Sequence, residues 1–555
     1  MITQGKSNMC CRFWKFFCLL VMMLAAQLSP ADIADSVYLN GQIYTVNNNS
    51  PWAQAVAIKN RRFQYAGSNT GARKYVGKDT EVIDLKGQMA MPGIHDGHQH
   101  LMLAGARASH WCKMPEGPIG DAFERELKEC AGTIDREWLE VGLYTPQQFP
   151  DGKPDRKYLD KLFPDRPVVL MESTFHFALV NTRGLEIAGI TRDSKAPEGG
   201  EFRKDENGRL TGELFEKARG VVARFTSRYT AEERRASLVA AMQIGNQYGV
   251  VSVQEAGTTE DDLRTLKMID EQGGMTVHVS THIAWDNEFF GMPAAVADGV
   301  IARRGQYASE HVNPNNVKII MDGVPSPPYL TQADLDESGE PELDMILVPP
   351  QVLNEQVVRF DKMGMKMKFH VAGAGASHVA LDAIAKARRV NKTSSILHEL
   401  GHAAVVVEPD MDRMRELNVV GEMSPAFWHL RGNVELGEPP RPAWQFRSLA
   451  NKGVLLTIGS DWPVAPSPNL FPGLGGILAY GDETIDLISG IRALTINGAI
   501  SVNRQDETGS IETGKLANMI VLDRNLFEVP VSEIGGTQVD LTVFEGKQVY
   551  IGKKN

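Results

Sequence analysis

Short apolar runs bounded by turn residues open and close this chain. Between them, strand-like and helix-like stretches alternate for several hundred residues. That order constrains the fold more than any other feature. Near the start, Ser36-Val37-Tyr38-Leu39 precedes Asn40-Gly41, and Ala55-Val56-Ala57-Ile58 precedes Lys59-Asn60, as in β-hairpins. Near the end, Met519-Ile520-Val521-Leu522, Leu541-Thr542-Val543-Phe544 and Gln548-Val549-Tyr550-Ile551 repeat the style. Two β-rich ends around a mixed middle predict one small β-sandwich built from residues 32–92 and 504–555.

The middle contains strand-like runs at Val168–Met171, Gly249–Val253, Val317–Met321, Lys366–Val371, Ala403–Val407 and Val454–Gly459. Helical stretches cover Glu232–Tyr248 and His378–Arg389. Such repetition predicts an α/β fold with a (β/α)8 TIM barrel over residues 93–503. Periodicity alone does not separate a barrel from an open doubly wound sheet. The stretch from about 103 to 215 is longer than one strand–helix unit and reads as an insertion shaping the pocket. Gln332–Glu342 reads as a surface loop.

With 555 residues, 43% of them hydrophobic and 23% charged, the chain is long enough for two or three packed units. A net charge of −11 without a basic patch excludes a nucleic-acid binder.

Lys6, Arg12 and Lys15 precede the apolar run Phe16 to Ala26, and Ser29 and Ala31 follow. A charged start, an apolar middle and a small-residue end describe a secretory signal over residues 1–31. The expectation is an exported enzyme, periplasmic or secreted. An uncleaved signal anchor is the alternative, although the run is short for a span of about 20 apolar residues. No later segment is long and apolar enough to cross a bilayer, so the mature chain has no stable span. Of five cysteines, only Cys112 and Cys130 lie beyond the signal. Export makes a disulfide between them chemically feasible; two unpaired thiols are the other reading. The absence of Cys-x-x-Cys removes a thiolate zinc site.

The strongest local signal is Met91-Pro92-Gly93-Ile94-His95-Asp96-Gly97-His98-Gln99-His100. His98 and His100 are two apart, so on a strand both point to one face and can share a metal. His370 ends Met367-Lys368-Phe369-His370, before the Gly-rich turn Gly373-Ala374-Gly375. His402 precedes the run Ala403–Val407, and Asp461 follows Ile458-Gly459-Ser460. Each lies by an end of an apolar run, and barrel active sites are built at the C-terminal strand ends. Singly, each is an ordinary structural polar group; in the order His-x-His, His, His, Asp, they point to one site. Lys318 interrupts an apolar strand, where an unpartnered ammonium is costly. It is either a modified or metal-associated lysine, or an edge lysine reaching water.

These segments together resemble the metal-dependent amidohydrolase superfamily, in the amidohydrolase-3 branch of N-substituted formamide deformylase-like enzymes. The likeness runs from about Asp35 to the C-terminus. It rests on Pro92-Gly93 to His100, Glu198-Gly199-Gly200 with Gly208 to Glu216, Val317-Lys318 to Gly323, His370, His402, Gly459-Ser460-Asp461 and Gly509 to Ala517.

The resemblance implies roles. His98, His100, His370, His402 and Asp461 would ligate one or two divalent ions, most readily zinc. Lys318 would be carboxylated to bridge them. Asp461 would also accept a proton from water and pass it on, and His176 would contact substrate. A small-molecule substrate cleaved at a non-peptide carbon–nitrogen bond of the amide type follows. Deamination, or ester or lactone hydrolysis, on the same site is the alternative, as is a non-catalytic exported binding protein. A homo-oligomer is compatible with this class. The chain departs from the pattern at Gly401, at Gly373-Ala374 and in the proline-rich Asp322–Tyr329. His398 is an alternative ligand to His402, and Glu216 and Glu255 are alternative acidic ligands to Lys318.

Overall fold

The computed structural model describes residues 33–226, 228–286, 290–393, 395–424, 435–436 and 441–552. The secretory signal expected over 1–31 lies outside the described residues.

Eight parallel strands form the central sheet: β1 (Ile94–Gln99), β2 (Val250–Thr258), β3 (His278–Ala284), β4 (Val312–Ile320), β5 (Lys366–His370), β6 (Glu399–Gly401), β7 (Val420–Met423) and β8 (Leu456–Ile458). They pair in chain order from β1 to β8. The ring closes through a parallel bridge between Gln99 and Trp462 and hydrogen bonds from Asp461 N to His98 O (2.7 Å) and from His100 N to Trp462 O (2.9 Å). Closure needs close backbone approach: a Cβ on Gly459 would lie 2.4 Å from the His98 backbone nitrogen. This is the (β/α)8 barrel that the alternation predicts.

The barrel interior is ionic where such barrels are usually filled with branched apolar residues. Lys366 and Lys368 on β5 both reach Glu399 on β6, at 2.5 and 3.2 Å, and all three are buried. Gln254 on β2 donates to Glu399 at 3.1 Å. This interior explains why β6 escapes an apolar pattern. The run Ala403–Val407, buried as far as Val406, is not a strand; the strand is Glu399–Gly401, before His402. His402 therefore follows its strand rather than preceding one, which puts it at the C-terminal end.

The terminal segments form two sheets. One holds Arg62–Gly67, Ala55–Lys59, Ser36–Leu39 and Glu81–Asp84; the other holds Lys547–Ile551, Val539–Phe544, Met519–Leu522, Met89–Pro92, Gln42–Tyr44 and Trp52–Ala53. A shared core containing Tyr38, Ile43, Phe63 and Met519 lies between them. The Lys59-Asn60 turn is a true hairpin, with Asn60 and Arg61 at φ 48° and 70°. The Asn40-Gly41 turn is not: it passes the chain from one sheet to the other.

Val168–Glu172 belongs to no barrel strand. It lies in a separate six-stranded sheet, with Cys112–Lys113, Leu139–Tyr144, Phe177–Val180, Leu210–Glu216 and Gly200–Lys204, inserted after the first barrel helix. Cys112 and Cys130 form a disulfide that ties the edge of this sheet to helix Asp121–Ala131. Within Gln332–Glu342 only residues 336–340 are exposed; Gln332 to Leu335 are buried against helix Ala374–Asn391. That helix begins in the glycine-rich stretch read as a turn. A Cβ on Gly375 would stand 2.2 Å from the Asp334 carbonyl oxygen, so the glycine serves close packing.

No described helix is long and apolar enough to cross a membrane.

Candidate active site

The strand ends deliver the residues. His98 lies on β1, and His100 is the N-cap of the following helix, Leu101–His110. Lys318 lies near the end of β4, His370 ends β5, and His402 and Asp461 come one and three residues after β6 and β8. Both of these last two take left-handed backbone conformations, φ 69° and 52°. Non-glycine residues rarely hold that conformation, and the surrounding structure must impose it. His176 comes from the inserted sheet, between Val168–Glu172 and Phe177–Val180.

All seven residues face one cavity at the C-terminal end of the barrel. Five imidazoles form a row. Ring centres are 5.6 Å apart for His100–His98, 4.5 Å for His98–His402, 4.5 Å for His402–His370 and 4.9 Å for His370–His176. Asp461 closes one end, its Oδ1 3.4 Å from His100 Nε2 and 3.7 Å from His98 Nε2. The Lys318 amine sits 3.3 Å from His98 Nε2. It is fully buried, which sets aside an edge lysine reaching water.

Supporting contacts fix the rings. Glu422 on β7 holds His98 Nδ1 at 2.5 Å, so Nε2 faces the cavity. His370 Nε2 lies 3.0 Å from the Gly323 carbonyl oxygen. Glu216 holds His176 Nδ1 at 2.8 Å and accepts from Thr331 at 2.7 Å. Asp96 accepts from Ser460 N and Oγ at 2.8 and 2.6 Å and ties β1 to the Asp461 turn.

Burial pushes His98, His370 and His402 well below the ordinary imidazole range, and nearby positive groups add to it. His100 is also lowered, by burial against the opposing pull of Asp461. Burial, with Lys368 close by, pushes the Lys318 amine down to about 7. Burial raises Asp322, beside His370, to about 8, although Gly373, Ala372 and Ala333 donate to it.

This donor set fits a metal. Ligation needs neutral imidazoles, and burial makes them so. Carboxylate–histidine pairs like Glu422–His98 orient metal ligands. One ligand atom each from His98, His100 and Asp461 lie within 4.8 Å of one another. A divalent ion would be held there, with His370 and His402 available beside it.

Residues 81–550 match the amidohydrolase family model. The chain belongs to the amidohydrolase family. It is a metal-dependent hydrolase acting on carbon–nitrogen bonds other than peptide bonds. Among similar proteins, the N-substituted formamide deformylase of Arthrobacter pascens is 26% identical over 93% of this chain and 98% of its own. Protein LONG AFTER FAR-RED 3 of Arabidopsis thaliana is 25% identical over 94% and 92%. An uncharacterised metal-dependent hydrolase from Pyrococcus horikoshii OT3 superposes with a TM-score of 0.69 at 21% identity. It covers 90% of this chain and 99% of that one, and shows the shared fold.

In this amidohydrolase the alternative ligands go elsewhere. His398 is buried away from the cavity, its Nε2 3.1 Å from Asp361, so it does not replace His402. Glu255 accepts from the Leu101 backbone nitrogen. Glu216 serves His176. The sequence reading missed Glu422 altogether. The rule that found His370, a polar residue ending an apolar strand, also finds it in Val419-Val420-Gly421-Glu422.

A second histidine–carboxylate cluster of the amidohydrolase lies at the opposite end of the barrel. His278 Nε2 and His311 Nε2 approach Glu545 at 3.1 and 3.3 Å. Arg61 pairs with the same Glu545 and stands 3.3 Å from His311 Nε2. A cation already neutralises that carboxylate, so the cluster is an ionic joint between barrel and β-sandwich.

Proposed function

We propose that this amidohydrolase hydrolyses an N-substituted amide of formamide type, using His98, His100, His370, His402 and Asp461 as ligands of two zinc ions. The observation that carries it is the convergence of the imidazole row, Lys318 and Asp461 in one cavity. Lys318 joins as a carbamate. Its neutral amine attacks carbon dioxide, an N–C bond forms, and one proton leaves to solvent. That turns a costly buried cation into an anionic oxygen donor. The bound ions supply an acidified water and polarise the scissile carbonyl.

The chain's own residues do the rest. Asp461, beside His98 and His100, takes the proton of the attacking water and hands it to the leaving nitrogen, a role worth about 10²–10⁴-fold. His176, braced by Glu216, contacts the substrate across the cavity from Asp461. The apolar walls, including Phe175, Phe290, Ile320 and Trp444, bind the uncharged remainder and exclude water. We also place the mature enzyme outside the cytoplasm, after cleavage of residues 1–31. The Cys112–Cys130 disulfide fits an oxidising compartment.

Elemental analysis of purified wild type, beside His98→Ala and Asp461→Ala, tests the centre together with an assay on formamides, esters and amidines. One to two zinc equivalents, lost in His98→Ala, with turnover on formamides, is expected. A wild type that binds no zinc even when it is added overturns the mechanism.

A further inference from the structure

A second cavity adjoins the catalytic one. His100, Leu103, Arg219 and Phe290 line both. It runs between the barrel and the inserted sheet, and its lining is mostly apolar: Met102, Ala106, Val169, Met171, Ala178 and Val222.

Most of its polar groups are matched internally; Arg219, shared with the catalytic cavity, is buried with its guanidinium 3.2 Å from Met171 Sδ. In the cavity wall Trp111 Nε1 donates to Tyr229 Oη at 3.0 Å, and Tyr229 donates to Glu140 at 2.8 Å. The Arg136 guanidinium lies over the Tyr229 ring at 4.2 Å. Asp262 pairs with Arg234 at 2.5 Å, and Glu255 accepts from Leu101 N. Burial raises the Glu140 carboxyl to about 7, which weakens its negative charge near neutrality. A polar or charged ligand would break these pairs without replacement, whereas an apolar one only displaces water.

The shared wall says which part of the substrate lies nearest the side cavity. His100 forms part of it and also touches Asp461, which delivers the proton to the leaving nitrogen. The nitrogen substituent is therefore the arm nearest the side cavity. We infer that this side cavity is the subsite for an extended apolar or aryl-alkyl substituent on the scissile nitrogen, an inference resting on the amide-hydrolase reading above. Trp111, in its wall, directly precedes Cys112, so the disulfide anchors that part of the lining.

The test fills the cavity. Val222→Phe and Ala106→Leu each add bulk from a different helix, so one misfolded variant does not end the experiment. Substrates are N-methylformamide and N-(4-phenylbutyl)formamide, with kcat and KM measured on zinc-loaded enzyme. The ratio of kcat/KM, long arm to short, should fall at least ten-fold in the folded variants, through KM. An unchanged ratio overturns the subsite. If wild type hydrolyses neither compound, the amide reading fails, and calorimetric binding of 4-phenylbutylamine separates the two claims. Binding weakened at least ten-fold by filling upholds the subsite; no binding to wild type, or binding that filling leaves intact, overturns it.

Discussion

The two ends of this barrel carry nearly the same chemistry and put it to opposite uses. Each gathers at least two histidines and a carboxylate within about 3–4 Å, between His100 and Asp461 at one end and between His311 and Glu545 at the other. At the C-terminal end burial dominates, and the imidazoles are held neutral. The cation among them, Lys318, is itself pushed down to about 7. At the other end Arg61 stays paired with Glu545, and His311 is raised above its ordinary value although burial lowers its neighbour His278 to about 4. Histidines and a carboxylate make a ligand set only where no permanent cation already satisfies the carboxylate. The electrostatic surround, not the residue list, separates a metal centre from an ionic joint.

The sharpest way to break that contrast is at the two carboxylates. Asp461→Asn should lower kcat by about 10²–10⁴-fold, because the proposed proton carrier is lost. Steady-state kinetics on the best amide, with the melting temperature as control, checks it. Glu545→Gln should leave turnover and metal content unchanged but cost about 1.5–3 kcal/mol of stability, the range for hydrogen bonds to charged partners. Denaturant unfolding measures this. A fall in zinc content there would make the floor cluster a metal site and erase the comparison.

Glu422→Gln sharpens it further. Weakening the brace on His98 Nδ1 should reduce zinc affinity about 10–100-fold, read by competition with a chelator. The smallest effect is a pH dependence at the floor. Burial resists charge on His311, but bonds to Glu545 and Asp270 prevail and raise it above 6.5. Its charge therefore stabilises the joint fully below about pH 6.5, and the contribution fades as pH rises through the raised value. The melting difference between wild type and His311→Gln should be about 1–2 °C smaller near pH 9 than near pH 6. An equal difference at both would mean that His311 acts there without its charge.

Much of this was legible because strand ends announce themselves. His370 and Asp461 follow apolar runs, and His98 and His100 share the two-residue period of a strand. β6 was not legible in that way. Its residues include Glu399, matched by Lys366 and Lys368 from the neighbouring strand, so burial there leaves no apolar signature. The next apolar run, Ala403–Val407, took its place. Val168–Met171 failed for the converse reason: an inserted sheet buries the same apolar run that a barrel strand would. Lys318 was ambiguous because edge and interior lysines share one letter, and only the closed sheet decides where its amine sits.

By itself, the sequence determined the strand–helix alternation, the β-rich ends and the order of the candidate ligand residues, since local periodicity and strand ends are written in consecutive positions. The tertiary structure alone decided that Glu422 braces His98, that Arg61 pairs with the floor carboxylate, and that a side cavity lies beside His100. Those facts depend on distances between residues separated by tens to hundreds of positions, and no local pattern records them.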